Sequence, residues 1–254
     1  MKVVILCGGL GTRLREETEY RPKPMVLIGG RPILWHIMKH YAHFGHNEFF
    51  CALGYKGDVI KSYFYQYYDL DRDATIDLAT GAVTSRAVAR EAWRVHLIDT
   101  GAKTNTAGRI LRLRDQLGNE PFLLAYGDSV SNVDINALIA FHKMRGKTVT
   151  ITVTRSPARF GEVTLQDEFV KVFEEKPARG EGWINGGFMV IEPDFFEYLE
   201  DDSTGLEILA KVAQDGRLTA YRHPGYWQCM DTIRDKERLD AEWESGRAGW
   251  KIWD

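Results

Sequence analysis

The chain has 254 residues, enough for one large α/β domain that buries a proper core. Hydrophobic residues make up 44% and charged residues 27%, a balance too apolar for disorder. Thirty-three basic against thirty-six acidic side chains give a formal net charge of -3, which argues against a general binder of nucleic acid or membrane surface.

Strand-like and helix-like runs alternate over the first half. Lys2 to Cys7 is a β-branched run closed by Gly8-Gly9, the pattern of a buried parallel strand. Arg31 to Phe44 carries apolar residues at helical spacing, with Pro32 expected in the first turn. A strand from Asn47 to Leu53 and a helix from Asp58 to about Tyr67 follow. A short strand is expected at Thr75 to Leu78, then strands Arg94 to Ile98 and Pro121 to Tyr126, helix Asn136 to Arg145 and strand Thr148 to Thr154. This alternation predicts βαβ units and a doubly wound, mostly parallel sheet of the Rossmann-like kind. In the second half, Glu162 to Leu165 and Phe169 to Glu174 read as a hairpin, with strands at Ile184 to Ile191 and Leu218 to Tyr221. Helices are expected at Pro193 to Leu199, Leu206 to Gln214 and Asp231 to Trp243. With no repeat and no linker, one compact unit is expected, its later segments built onto one edge of the sheet.

Three cysteines, Cys7, Cys51 and Cys229, cannot all pair and lack metal-ligand spacing, so a reducing compartment is expected. The run MKVVILCGG is too short for a signal peptide or a membrane span. No later apolar run reaches about 18 residues, and a soluble, cytoplasmic protein is expected.

The stretch most informative about chemistry is Leu6-Cys7-Gly8-Gly9-Leu10-Gly11-Thr12-Arg13-Leu14, directly after the first strand. Glycines there let backbone N–H groups approach an anion, and Thr12 and Arg13 add a hydroxyl and a forked cation. The pattern is neither a Walker A loop nor a dinucleotide GxGxxG. Lys23 follows between Pro22 and Pro24, two residues that stiffen the backbone presenting it. Together these favour phosphate binding. Asp128 ends the strand Phe122 to Tyr126 after a glycine, at the same sheet edge. Asp231, just before a helix, has two readings from the residues alone: N-cap or metal ligand. The loop Asp99 to Arg109 sits between strand and helix, with Thr104 and Asn105 as candidate caps.

GGLGTRL followed by KPM resembles the signature of the sugar-1-phosphate nucleotidylyltransferases. Glu16-Glu17-Thr18, Gly54-Tyr55-Lys56-Gly57, Tyr126-Gly127-Asp128, Glu175-Lys176-Pro177, Ile184-Asn185-Gly186-Gly187-Phe188 and Met230-Asp231-Thr232 continue the likeness in order along the whole chain. The first of these is similar to the glucose-1-phosphate cytidylyltransferase branch. The resemblance implies transfer of a cytidylyl group from CTP to α-D-glucose 1-phosphate, with Mg2+ held by Asp128 and Asp231. It implies catalytic roles for Lys23, Arg13 and Asp128. Nucleotide contacts fall on Leu6, Gly8, Gly9, Leu10, Gly11, Thr12, Arg13, Lys23, Thr104, Arg109, Gly127 and Asp128. The sugar phosphate falls to Glu175, Lys176, Asn185 and Gly186. Residues 1–155 would then form the nucleotide-binding part, and 156–254 the sugar-binding and oligomerisation part of a homo-oligomer, a hexamer being one form. Ala107 in place of a usual glycine, Ser129 beside the metal aspartate, and the stretch 202–209 depart from the family pattern. Two alternatives stay open: another acceptor or base, and a catalytically weakened regulatory subunit.

Overall fold

The computed structural model describes residues 1–68, 73–85, 91–155, 162–166, 169–174, 182–200 and 203–253. Seven strands build the central sheet: β1 (Val3–Cys7), β2 (Glu48–Leu53), β3 (Arg94–Asp99), β4 (Phe122–Tyr126), β5 (Val149–Arg155), β6 (Trp183–Ile191) and β7 (Leu218–Arg222). Their spatial order is β7-β5-β6-β4-β1-β2-β3. Every neighbouring pair is parallel except those of β6, which runs antiparallel between β4 and β5. The later strands therefore do lie on one side, beyond β4.

Among the described residues, six α-helices of six or more residues cover the two faces: α1 (Ile33–His43), α2 (Gly57–Tyr65), α3 (Thr106–Leu111), α4 (Ile135–Arg145), α5 (Gly205–Gln214) and α6 (Ile233–Glu244). The continuous apolar run of β1 explains this two-sided cover. Val3, Ile5 and Cys7 point into one core with α1, α2, α4 and α6, whereas Val4 points into the other with α3 and α5. Cys7, Cys51 and Cys229 are free thiols.

Three expectations need correction. The helix expected from Arg31 begins at Ile33, because Arg31–Pro32 pairs with Leu27–Ile28 across a turn at Gly29 (φ 56) and Gly30 (φ 78). Pro32 is consequently extended (ψ 144) and stands outside the helix as its N-cap. The strand expected at Thr75 to Leu78 is Ala74–Ile76, and it pairs with Val83–Ser85 rather than joining the main sheet. The helix expected from Pro193 closes as a 3-10 turn, Pro193–Tyr198. The hairpin forms from Glu162–Gln166 and Phe169–Glu174. Among the described residues, no helix is long and apolar enough to cross a membrane.

Candidate active site

A cleft of about 580 Å³ opens at the carboxyl edge of the sheet, lined by Leu6–Arg13, Lys23, Pro24, Ala102–Thr106, Arg109, Tyr126–Asp128 and Asp231. Eleven of the twelve residues expected at the nucleotide come from four separate stretches of this wall, and Lys23 makes the twelfth. The glycines of the first loop have three different causes. A Cβ on Gly9 would meet nothing within 4 Å, so this glycine leaves its backbone open to the cleft. Gly11 adopts φ 63, the left-handed conformation that glycine tolerates, and starts the 3-10 turn Thr12–Leu14. Thr18 then ties the loop down by donating from Oγ1 to the carbonyls of Leu14 (2.9 Å) and Gly11 (3.1 Å). Gly8 is glycine because a Cβ there would lie 2.1 Å from the Arg109 guanidinium.

Lys23 stands in a 3-10 turn, Lys23–Met25, entered through extended Pro22. Gly127 lets the end of β4 approach this turn: a Cβ there would come within 2.9 Å of the Pro24 ring and 2.8 Å of the Leu6 carbonyl. The Lys23 Nζ donates to Asp128 Oδ2 at 2.8 Å and to Asp231 Oδ1 at 2.6 Å. Burial alone would lower the Lys23 pKa, but the two carboxylates overcome it and raise the value. Arg13 Nη1 reaches Asp231 Oδ2 at 3.2 Å from an otherwise exposed side chain.

Two aspartates 103 positions apart meet because Trp227–Cys229 pairs antiparallel with Ser129–Ser131, and Met230 N donates to the Asp128 carbonyl at 2.9 Å. The capping reading of Asp231 fails here. Thr232 is the N-cap of α6, in a reciprocal capping box with Asp235, so Asp231 is turned to the cleft instead. Ser129 sits in this short ladder, buried and with no positive φ, so its backbone does not call for glycine.

Among the described residues, no group of three His, Cys, Asp or Glu is arranged to hold a metal. The donor set is two carboxylates already sharing one ammonium. Hard oxygen donors that are too few for an all-protein cage suit magnesium, which keeps further positions for water and phosphate oxygens. His36 and His40, four apart on α1, are buried in the packing and take no part.

On the other wall, Asn105 holds the N-cap position of α3 without a side-chain cap bond. Thr104 lines the cleft. Arg109 is 6% exposed, and its guanidinium donates to backbone carbonyls and to Thr100 Oγ1. Ala107 donates its N–H to the Ser203 carbonyl (3.2 Å). The unusual stretch after position 202 thus packs on the helix that carries Arg109, with Thr204 capping α5.

Asn185 and Gly186 lie on an irregular part of β6, where the register against β5 shifts between Ile151 and Val153. Asn185 Oδ1 accepts from Gly187 N at 3.0 Å, and Trp227 Nε1 donates to the Gly186 carbonyl at 2.8 Å. Neither residue lines the cleft directly. The link between them and the cleft is Tyr126, whose ring fills the space of the missing Gly187 Cβ (2.5 Å) at φ 78. Burial and then the nearby Asp128 raise the Tyr126 pKa. Tyr126 lines the cleft although it is not among the site residues expected from the sequence. Its position before Gly127-Asp128 at a strand end was the signal. Glu175 and Lys176 lie outside the described residues. A larger cavity, about 760 Å³, opens at the opposite end of the strands near Lys2, Glu48 and Arg94; the glycine loop is not part of its lining, and its Glu48 and Glu192 meet His96 and His142 rather than a lysine.

The chain is similar to known proteins in sequence and in fold. The family model described as nucleotidyl transferase matches residues 2–235. The chain belongs to the nucleotidyl transferase family. A glucose-1-phosphate cytidylyltransferase of Salmonella typhi is 48% identical over 257 residues, covering 100% of both chains. A probable glucose-1-phosphate cytidylyltransferase of Bacillus subtilis (strain 168) is 44% identical, again covering 100% of each. Among solved structures, HddC from Yersinia pseudotuberculosis superposes with a TM-score of 0.69 at 22% identity, over 95% of this chain and 99% of that one. That likeness supports the nucleotidyl transferase fold; the chain is a nucleotidyltransferase by its family match and its full-length relatives.

Proposed function

We propose that this nucleotidyltransferase transfers a cytidylyl group from CTP to α-D-glucose 1-phosphate, releasing pyrophosphate and forming CDP-glucose. The observation that carries the reading is Lys23 between Asp128 and Asp231 at the mouth of the glycine loop. The choice of base and sugar follows the full-length likeness to the cytidylyltransferase of Salmonella typhi.

The chemistry needs no side-chain nucleophile, because the sugar phosphate oxygen itself attacks the α-phosphorus in line. What the protein must supply is charge stabilisation and orientation. The open backbone at Gly9 and the side chains of Thr12 and Arg13 hold the phosphates. Lys23 stabilises charge developing on the α-phosphate and on departing pyrophosphate. Asp128 and Asp231 would hold magnesium, which when bound would neutralise charge on the triphosphate. Before substrate arrives, Lys23 and Arg13 balance those same carboxylates. Thr104 faces the base and ribose. Asn185 and Gly186, with Glu175 and Lys176, serve the sugar phosphate in the part from 156 to 254. A cytoplasmic homo-oligomer completes the reading.

The test is pyrophosphate release from purified protein with magnesium, crossing four nucleoside triphosphates with glucose 1-phosphate and other phosphorylated acceptors. CTP with glucose 1-phosphate should be the productive pair, and Asp128→Ala should abolish release. A different productive acceptor or base would replace the specificity proposed here. No release with any pair, despite CTP binding, would favour a regulatory subunit.

A further inference from the structure

Arg109 is an unusual resident of a substrate cleft, because its hydrogen bonds run to the protein itself. Nη1 donates to the Leu53 carbonyl at 3.0 Å, to Thr100 Oγ1 at 2.8 Å and to the Gly101 carbonyl at 2.9 Å. Nη2 donates to the Gly8 carbonyl at 3.0 Å. These acceptors stand at the carboxyl ends of β1, β2 and β3, three adjacent parallel strands. Parallel strands aim their last carbonyls the same way, so several acceptors converge on one small volume. That volume is largely shielded from solvent: Thr100 is fully buried, Arg109 nearly so, and Gly101 partly. Carbonyls left unpaired there would each be costly. A planar guanidinium with five donors spans such a set; an ammonium is a single point and does not.

Two glycines are shaped by this side chain. A Cβ on Gly8 would lie 2.1 Å from the guanidinium carbon, and a Cβ on Gly54 would lie 2.5 Å from Nη1. The acceptors also belong to different functional walls. Gly8 opens the loop expected to hold phosphates, and Thr100–Gly101 opens the loop expected to hold the base.

From this we infer that Arg109 is a positioning residue: one guanidinium locks the phosphate loop and the base loop at a fixed separation. The inference rests on the reading of this cleft as a nucleoside triphosphate site. It differs from a direct contact to the base in a measurable way. A residue that only touches the base is irrelevant to a ligand without one, whereas a residue that sets both walls affects each half of the nucleotide separately.

Competition against CTP reads the affinities of inorganic tripolyphosphate and of cytidine separately, with magnesium, in wild type, Arg109→Lys and Gly54→Ala. Gly54 does not line the cleft; a Cβ there would press from behind on the guanidinium and on Gly8 Cα (2.8 Å), so its alanine variant strains the joint between Arg109 and the phosphate loop while adding no atom to the ligand wall. Both variants should bind tripolyphosphate and cytidine each about tenfold more weakly, with folding confirmed by thermal melts. Amide exchange in the nucleotide-free variants should quicken at Gly8–Gly11 and at Gly101–Lys103. Loss of cytidine affinity alone in Arg109→Lys, or unchanged binding of both ligands by folded Gly54→Ala, overturns the inference. Wild-type protein that binds neither CTP nor either fragment would instead overturn the nucleotide reading.

Discussion

Replacing Lys23 by Met removes the ammonium shared by Asp128 and Asp231 while keeping similar bulk. The Lys23 side chain is 12% exposed, and those of Asp231 and Asp128 are 17% and 34% exposed. An exposed ion pair is worth under about 1 kcal/mol. A fully buried charge losing its partner costs about 3–5 kcal/mol. The half-buried cluster falls between these, at about 2 kcal/mol, since Arg13 reaches only Asp231 and does so from solvent. For a chain of this size that lowers Tm by about 4–8 °C. The variant should then respond more strongly to a divalent cation, because its carboxylates have no competing ammonium. At 10 mM manganese and a dissociation constant near 1 mM, the recovery is about 1.4 kcal/mol, or roughly 3–6 °C. Thermal melts with and without manganese, together with its free-ion paramagnetic signal, measure both effects. A Lys23→Met variant that melts with wild type, or gains no more from manganese than wild type does, refutes the shared-cation reasoning.

Two further outcomes follow from the packing around this site. Thr232→Ala removes the capping box of α6 and should cost about 1 kcal/mol, with faster amide exchange at residues 233–236; Asp231→Asn should leave that exchange unchanged, and equal fraying in both would restore Asp231 as the cap. Burial lowers the His36 pKa to about 4 and that of His40 to about 3, against about 6.5 when unfolded. Their contribution is therefore complete above pH 6.5 and is lost as pH falls toward 4, each at about 1.4 kcal/mol per pH unit. The neutral form of His36 is also required by its bonds, since Nε2 meets the Ile28 carbonyl and Trp250 Nε1 donates to Nδ1. Urea midpoints between pH 7 and 5 should fall steeply in wild type and less steeply in His40→Gln; equal slopes would show that buried His40 does not control acid stability.

Local patterning fixes the strand-to-helix rhythm and the glycine loop behind β1, and it singles out Lys23 and Asp128; Asp231 kept two readings, and only the family resemblance joined it to them. Those signals are local: a continuous apolar run must be buried on both faces, a lysine between two prolines cannot wander, and a carboxylate ending a strand lies at the sheet edge. Tertiary structure decided everything that depends on which distant segments meet. Antiparallel β6 enters between β4 and β5 because its partners are chosen by packing, not by order along the chain. Asp231 escapes its capping alternative only because Thr232 and Asp235 close the box and the ladder at Ser129–Ser131 brings the two aspartates together. Gly8 reads in the sequence as a phosphate-binding glycine, yet its missing side chain makes room for Arg109, 101 positions away. A spacing pattern records where a residue can point; only the fold sets what already occupies that space.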